Sequence, residues 1–187
     1  MRTLTLSLLF LALLAPAVYG HNGALSLYTS NSLGDCDRTS TIFMTDTMQF
    51  FYVRGSGPDM GNAAAFSLAL SSTNVFFAPP PVWSNLITVT LGDVESGISI
   101  TGSGCLGVGE PVVYLGMVFV TNGFETAEFT VKVVNHPTAD PFPGIWITLC
   151  EAGQPMYQVL GGTFVFNGTC NPAVEQSSWG AIKSLYR

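Results

Sequence analysis

The chain has 187 residues, 48% apolar and only 10% charged, with six Lys and Arg against twelve Asp and Glu and a formal net charge of −6. High apolar content with so few charges excludes ordinary disorder, which needs the reverse balance. The acidic excess would repel phosphate backbones and argues against nucleic acid as a partner.

The N-terminal stretch MRTLTLSLLFLALLAPAVYG carries one positive charge, Arg2, then an apolar run from Leu4 to Leu14 and small residues at Ala15, Ala17 and Gly20. That order predicts a signal peptide over 1–20. The run is shorter than the ~20 residues of a spanning helix, and no later stretch is long and apolar enough to span a bilayer. No transmembrane segment is therefore expected after cleavage. The chain is placed in the periplasm, at the cell surface or outside the cell. Residues 21–170 are of a size for one domain with a real core. Residues 171–187 are read as a linker and a short tail.

Past the signal, short apolar or alternating runs fall at 25–28, 41–44, 48–53, 64–70, 75–77, 86–91, 97–101, 112–120, 127–134, 145–150 and 157–166. Turn material such as RGSGPDMGN, TGSG, TNG and NHPTADPFPG separates them, and APPP at 78–81 reads as a rigid loop. Phe66, Leu68 and Leu70 alternate with Ser67 and Ala69, and Phe129, Val131 and Val133 with Thr130 and Lys132. VVYLGMVFV at 112–120 is apolar on both faces, which predicts a central strand or one whose outer face is covered. Nothing before residue 173 has a helical period over three turns. The expectation is an all-β antiparallel sandwich of nine to eleven strands, its core filled in part by the thirteen Phe.

The four cysteines Cys36, Cys105, Cys150 and Cys170 are even in number and contain no CxxC spacing, which in a secreted chain predicts two disulfides. Widely spaced single cysteines fit a zinc site poorly. Three pairings are open. Cys36–Cys105 with Cys150–Cys170 is preferred, because the second pair would close one hairpin.

Two segments, FFYVRGSGPDMGNAAAFSLAL and GDVESGISITGSGCLGVGEPVVYLGMVFV, resemble secreted bacterial sandwich domains of the cohesin-like or carbohydrate-binding jelly-roll type. GGTFVFNGTC and the ending WGAIKSLYR resemble those of a group of secreted proteins of environmental bacteria. The resemblance covers most of residues 21–187. It implies the fold and supplies no catalytic residue.

Catalytic patterns are sparse. There is no GxSxG, no HExxH and no phosphate loop opening a helix. His136 with Asp140 would be half of a metal or acid–base site, and no second ligand accompanies it. Asp35 with Asp37, and Asp93 with Glu95, could hold structural calcium, but they read first as solvated turn residues. No cofactor is expected. Sugar-binding sandwiches stack rings on exposed aromatics. Trp83, after APPP, is the best candidate ligand-binding residue, ahead of Tyr52, Tyr114 and Tyr157, while Trp146 reads as core. Asn167 in NGT matches the glycosylation acceptor pattern of eukaryotic secretory pathways.

SSWGAIKSLYR predicts a short helix starting at Ser177 or Ser178. Trp179, Ile182 and Tyr186 share one face with Leu185 beside it, and Lys183 and Arg187 lie towards the end that favours positive charge. Such a face needs a partner: either its own sandwich or a sorting or attachment machine. The leading functional reading is a secreted, non-catalytic module, structural or adhesive, that meets a protein or glycan at the cell surface. Carbohydrate binding through exposed aromatics is the alternative, and a hydrolase with a discontinuous site the third.

Overall fold

A computed structural model describes residues 23–30, 33, 35–55, 57–137 and 144–170, and all regular structure among them is strand. The signal peptide, Asp140 and the tail residues Trp179, Ile182, Lys183, Leu185 and Tyr186 lie outside the described residues. In chain order the strands are β1 (Ala24–Tyr28), β2 (Asp37–Arg38), β3 (Thr45–Val53), β4 (Met60–Leu70), β5 (Val75–Phe77), β6 (Val82–Trp83) and β7 (Ile87–Asp93). There follow β8 (Gly97–Gly102), β9 (Val112–Asn122), β10 (Phe129–Val134), β11 (Trp146–Leu149), β12 (Met156–Gln158), β13 (Leu160–Gly161) and β14 (Thr163–Phe166). The fourteen strands among the described residues exceed the expected nine to eleven because several have only two or three residues.

The strands form two sheets. One runs β13-β1-β3-β9-β5, with β6 also on β9. The other is built on β4, which carries β8 and then β7 on one edge. On its other edge β10 meets residues 67–70 of β4 and β11 meets residues 60–65, so β10 and β11 run as one interrupted strand line. β14 and β2 lie beyond β10, and β12 beyond β11. Pairing is antiparallel except for β1 with β13 and β14 with β2.

Period-two patterning builds the core. Met48, Phe50 and Tyr52 of β3 face Phe66 and Leu68 of β4 and Phe129, Val131 and Val133 of β10 across the layer, and all are buried. The doubly apolar run at 112–120 is the central strand β9, and a bulge explains its pattern. Phe50 pairs with Gly116 but Phe51 with Tyr114, so Leu115 is extra. The buried set shifts from Val113 and Leu115 to Val118 and Val120. A Cβ on Gly116 would sit 2.6 Å from the Val82 carbonyl oxygen, so only glycine lets β6 approach here. The outer face near Phe51 is covered by a second cluster of Tyr28, Leu33 and Cys36, with Val112 and Cys170 against it.

Three sequence expectations are corrected. Residues 41–44 are not a strand but a turn, in which the Met44 N–H donates to the Thr41 carbonyl at 3.1 Å. The run 157–166 is not one strand: the chain leaves β11's sheet, pairs with β1 at Leu160–Gly161, and returns to β10 as β14. A Cβ on Gly161 would lie 2.0 Å from the Val133 carbonyl oxygen, so the crossing needs its glycine. All four cysteines are in disulfides, but as Cys36–Cys170 and Cys105–Cys150, with Cα separations of 5.8 and 5.5 Å. The reason is topological. β2 lies beside β14, which brings Cys36 to the chain leaving β14. Cys105 and Cys150 both flank the start of β4: Leu106 N–H donates to Gly61 O and Cys150 N–H to Asp59 O.

Candidate functional site

One end of the sandwich gathers the end of β2, the start of β3, the end of β4, the starts of β5 and β10, and the ends of β9 and β14. Its connections are knitted by a polar network. Asn122, fully buried, donates through Nδ2 to Ser40 Oγ (3.2 Å) and Glu125 O (2.8 Å), and its Oδ1 accepts the Glu125 N–H at 2.7 Å. Ser40 Oγ donates to Asp46 Oδ2 at 2.6 Å, and the Arg38 guanidinium lies 3.5 Å from the other carboxylate oxygen. The Ser40 N–H donates to Asn167 Oδ1 at 2.8 Å, and Asn167 Nδ2 donates to Ala127 O at 3.3 Å. The Asn167 amide of the NGT pattern is thus engaged on both sides. Satisfied buried groups of this kind fix loop geometry, because leaving any one unpaired is expensive.

Out of this scaffold project apolar side chains that have no core to enter. Phe43 is 70% exposed, Phe124 68%, Met44 58% and Phe76 49%. Phe43 and Phe124 meet edge to face with ring centroids 5.0 Å apart. Phe76 belongs to the same end: its ring lies 3.9 Å from where a Cβ on Gly123 would be. Phe43 has φ 62°, a left-handed conformation unfavourable for a bulky residue. It is held there by two hydrogen bonds with Asn122: Phe43 N–H to Asn122 O at 2.7 Å, and Asn122 N–H to Met44 O at 3.0 Å. Backbone held against its own preference so as to present an aromatic ring to solvent points to function.

Beside the pair lies an open groove of about 660 Å³. It is lined by three segments, Thr39 to Ile42, Glu125 with Thr126, and Asn167 to Thr169. Glu125 accepts from Ser72 Oγ at 2.6 Å and from the Ala127 N–H at 3.0 Å, and these bonds, Ser72's first, hold its carboxyl below the usual range. The end therefore offers a rigid apolar pair and a hydroxyl-rich channel lined by the Glu125 carboxylate.

The aromatics named from sequence lie elsewhere. Trp83 is half-buried in β6, its ring edge-on to Phe50 (6.3 Å) and Phe66 (6.4 Å) at the margin of the core. Tyr52 is buried and donates to Pro58 O at 2.8 Å, and burial pushes its phenol above the usual range. Tyr114 rests on Phe51 at 5.4 Å, and Tyr157 packs partly buried against the core. Trp146 is half-buried, while its neighbour Ile147 enters the core. The His136 ring lies over Gly97, where a Cβ would come within 2.8 Å of it. Asp93 closes the β7–β8 turn by accepting the Glu95 and Ser96 N–H groups, and Asp37 accepts the Cys170 N–H at 3.0 Å. Among the described residues no three His, Cys, Asp or Glu come together as a metal site.

Sequence reading missed Phe43 and Phe124. The second had a signal: it is a lone aromatic inside the turn string TNGFET, where a core residue is not expected. Phe43 lay inside the three-residue apolar run IFM after Thr41, which imitates a short strand.

No protein-family model matches the chain, and no curated protein matches it. Solved structures match at the level of fold. The third ScaB cohesin of R. flavefaciens, in complex with a group 1 dockerin, aligns with a TM-score of 0.52 over 83% of this chain and 99% of its own, at 10% identity. A type III cohesin module from the ScaE cell-surface anchoring scaffoldin of Ruminococcus flavefaciens gives 0.52 over 81% and 89%, also at 10% identity. The cohesin module of a Clostridium perfringens family 33 glycoside hydrolase gives 0.52 over 78% and 96%, at 8% identity. The chain is thus an all-β sandwich of cohesin-like, jelly-roll type.

Proposed function

We propose that this chain is a secreted, non-catalytic adhesive module that binds a protein at the cell surface or outside the cell through its aromatic end. The observation that carries the reading is the Phe43–Phe124 pair, exposed, held by a buried polar network and, at Phe43, strained. Rigid exposed aromatics give large contact area at low entropic cost and dominate interface energetics. Two disulfides suit an oxidising compartment. The fold neighbours include a cohesin in complex with a dockerin, which makes protein binding by this type of sandwich a reasonable precedent. The segment 171–187, with Trp179, Ile182, Lys183, Leu185 and Tyr186, serves in this reading as the sorting or attachment tag. Deleting 173–187 tests that role: surface retention or secretion is lost while thermal stability stays unchanged.

The site itself is tested by binding labelled protein to intact secreting cells. Wild type binds, and a Phe43→Ala/Phe124→Ala variant of unchanged melting temperature does not. Equal binding by the variant would defeat the reading. The hydroxyl-lined groove beside the pair supports a second reading, recognition of a neutral glycan. Protease treatment of the cells separates the two: a protein partner is destroyed by it, and a glycan survives and appears on a glycan array. On that array Trp83→Ala should have no effect, because the ring faces the core.

A further inference from the structure

Sheet edges are aggregation hazards, and most edges of this sandwich are blunted by being short. Among the described residues, β13 and β2 have two residues each, β5 and β12 three, and β6 two. β7 is the exception. It has seven residues, it pairs only with β8, and no strand lies on its other edge among the described residues. Only Ile87, at its start, packs against the core. From Thr88 to Asp93 every residue is exposed, with Leu91 at 67% and Val89 at 50%. Charge and proline, two of the usual protections, are absent. Ile-Thr-Val-Thr-Leu-Gly, residues 87–92, holds no charge and no proline. A register shift between Ile87 and Val89 affects the start of the strand and Gly92, at φ 86°, its end, while Val89 to Leu91 pairs regularly between them.

We infer that β7 is a self-association strand, joining two copies of this chain edge to edge as an antiparallel β7–β7 pair about a two-fold axis at Thr90. The sequence is self-complementary in that register. Val89 of each copy meets Leu91 of the other on one face, so four apolar side chains close over the seam. The irregular Thr88 and the left-handed Gly92 bound this short ladder, and each Asp93 lies towards the Ile87 end of the other copy, so no like charges meet. That matters in a chain of net charge −6, whose copies repel one another at most other surfaces. The unpaired N–H and C=O groups of both edges are satisfied together. The pairing uses up both long edges, so the assembly closes as a dimer and does not propagate. This inference does not depend on the aromatic end, which the dimer leaves open.

Sedimentation of the purified chain across a concentration series tests it. Wild type should show a concentration-dependent dimer. Val89→Lys/Leu91→Lys should weaken it by more than about tenfold, since each Lys then faces another across the seam. Val89→Glu/Leu91→Glu should do the same, and an equal mixture of the two variants should recover the dimer as one copy of each. Both positions are exposed, so the variants should melt as wild type does. A wild type that stays monomeric at the highest concentration would overturn the inference, as would charged variants that dimerise undiminished or a mixture that fails to associate.

Discussion

Phe43 carries a conflict that one substitution can resolve. Its φ of 62° costs a bulky residue on the order of 1 kcal/mol, and glycine takes that conformation freely. Phe43→Gly is expected to leave the melting temperature unchanged or raise it, while binding to cells is lost. A marked fall in melting temperature would show that the ring serves packing. Glu125 supplies the pH dependence. Its carboxyl is held below the usual value, first by the Ser72 hydroxyl, so its contribution to stability is present above the unfolded value of 4.5 and is lost as pH falls through the lowered one. Ser72→Ala should therefore reduce the acid sensitivity of the 122–127 turn, followed by hydrogen exchange of the Ala127 amide between about pH 5 and pH 3. Little of this was legible in sequence. Ser40, Asn122 and Asn167 are ordinary turn residues until the fold brings together positions 82 and 127 apart in the chain. Trp83 looked exposed because it follows APPP, but its ring fills the margin between Phe50 and Phe66.

At the scale of elements, alternation was the reliable signal wherever a strand has one buried face. β8 and β10 fall where their patterns put them. β9 shows why the rule needs topology: its doubly apolar run comes from a change of parity at Leu115, invisible without the partner strand. Cysteine pairing failed for a related reason. Proximity in sequence favoured Cys150–Cys170, but the parallel seating of β2 on β14 decides it. The long loop makes a prediction. Cys36–Cys170 spans 134 residues and Cys105–Cys150 spans 45. In the chain-entropy picture, replacing the first pair by serine costs more, by about 1 kcal/mol, within losses of about 2–5 kcal/mol for either. Denaturant melts of the two double variants measure this, and equal losses would place the effect in native packing instead.

For the whole molecule, composition gave the class and the fold followed from patterning, but function depends on what the sandwich leaves outside. Among the apolar features left uncovered are the aromatic end and the β7 edge. Both are apolar, and a sequence reading assigns such residues to the core by default. Two exposed methionines distinguish the end from the opposite sheet: Met44, 58% exposed beside Phe43, and Met156, 44% exposed in β12. Thioethers oxidise according to access, so mild peroxide treatment followed by peptide mass analysis reads both surfaces in one sample. The account predicts that binding to secreting cells protects Met44 and leaves Met156 oxidised at the rate of the free protein. Protection of Met156 with Met44 unchanged, or no protection of either in fully bound protein, would contradict it.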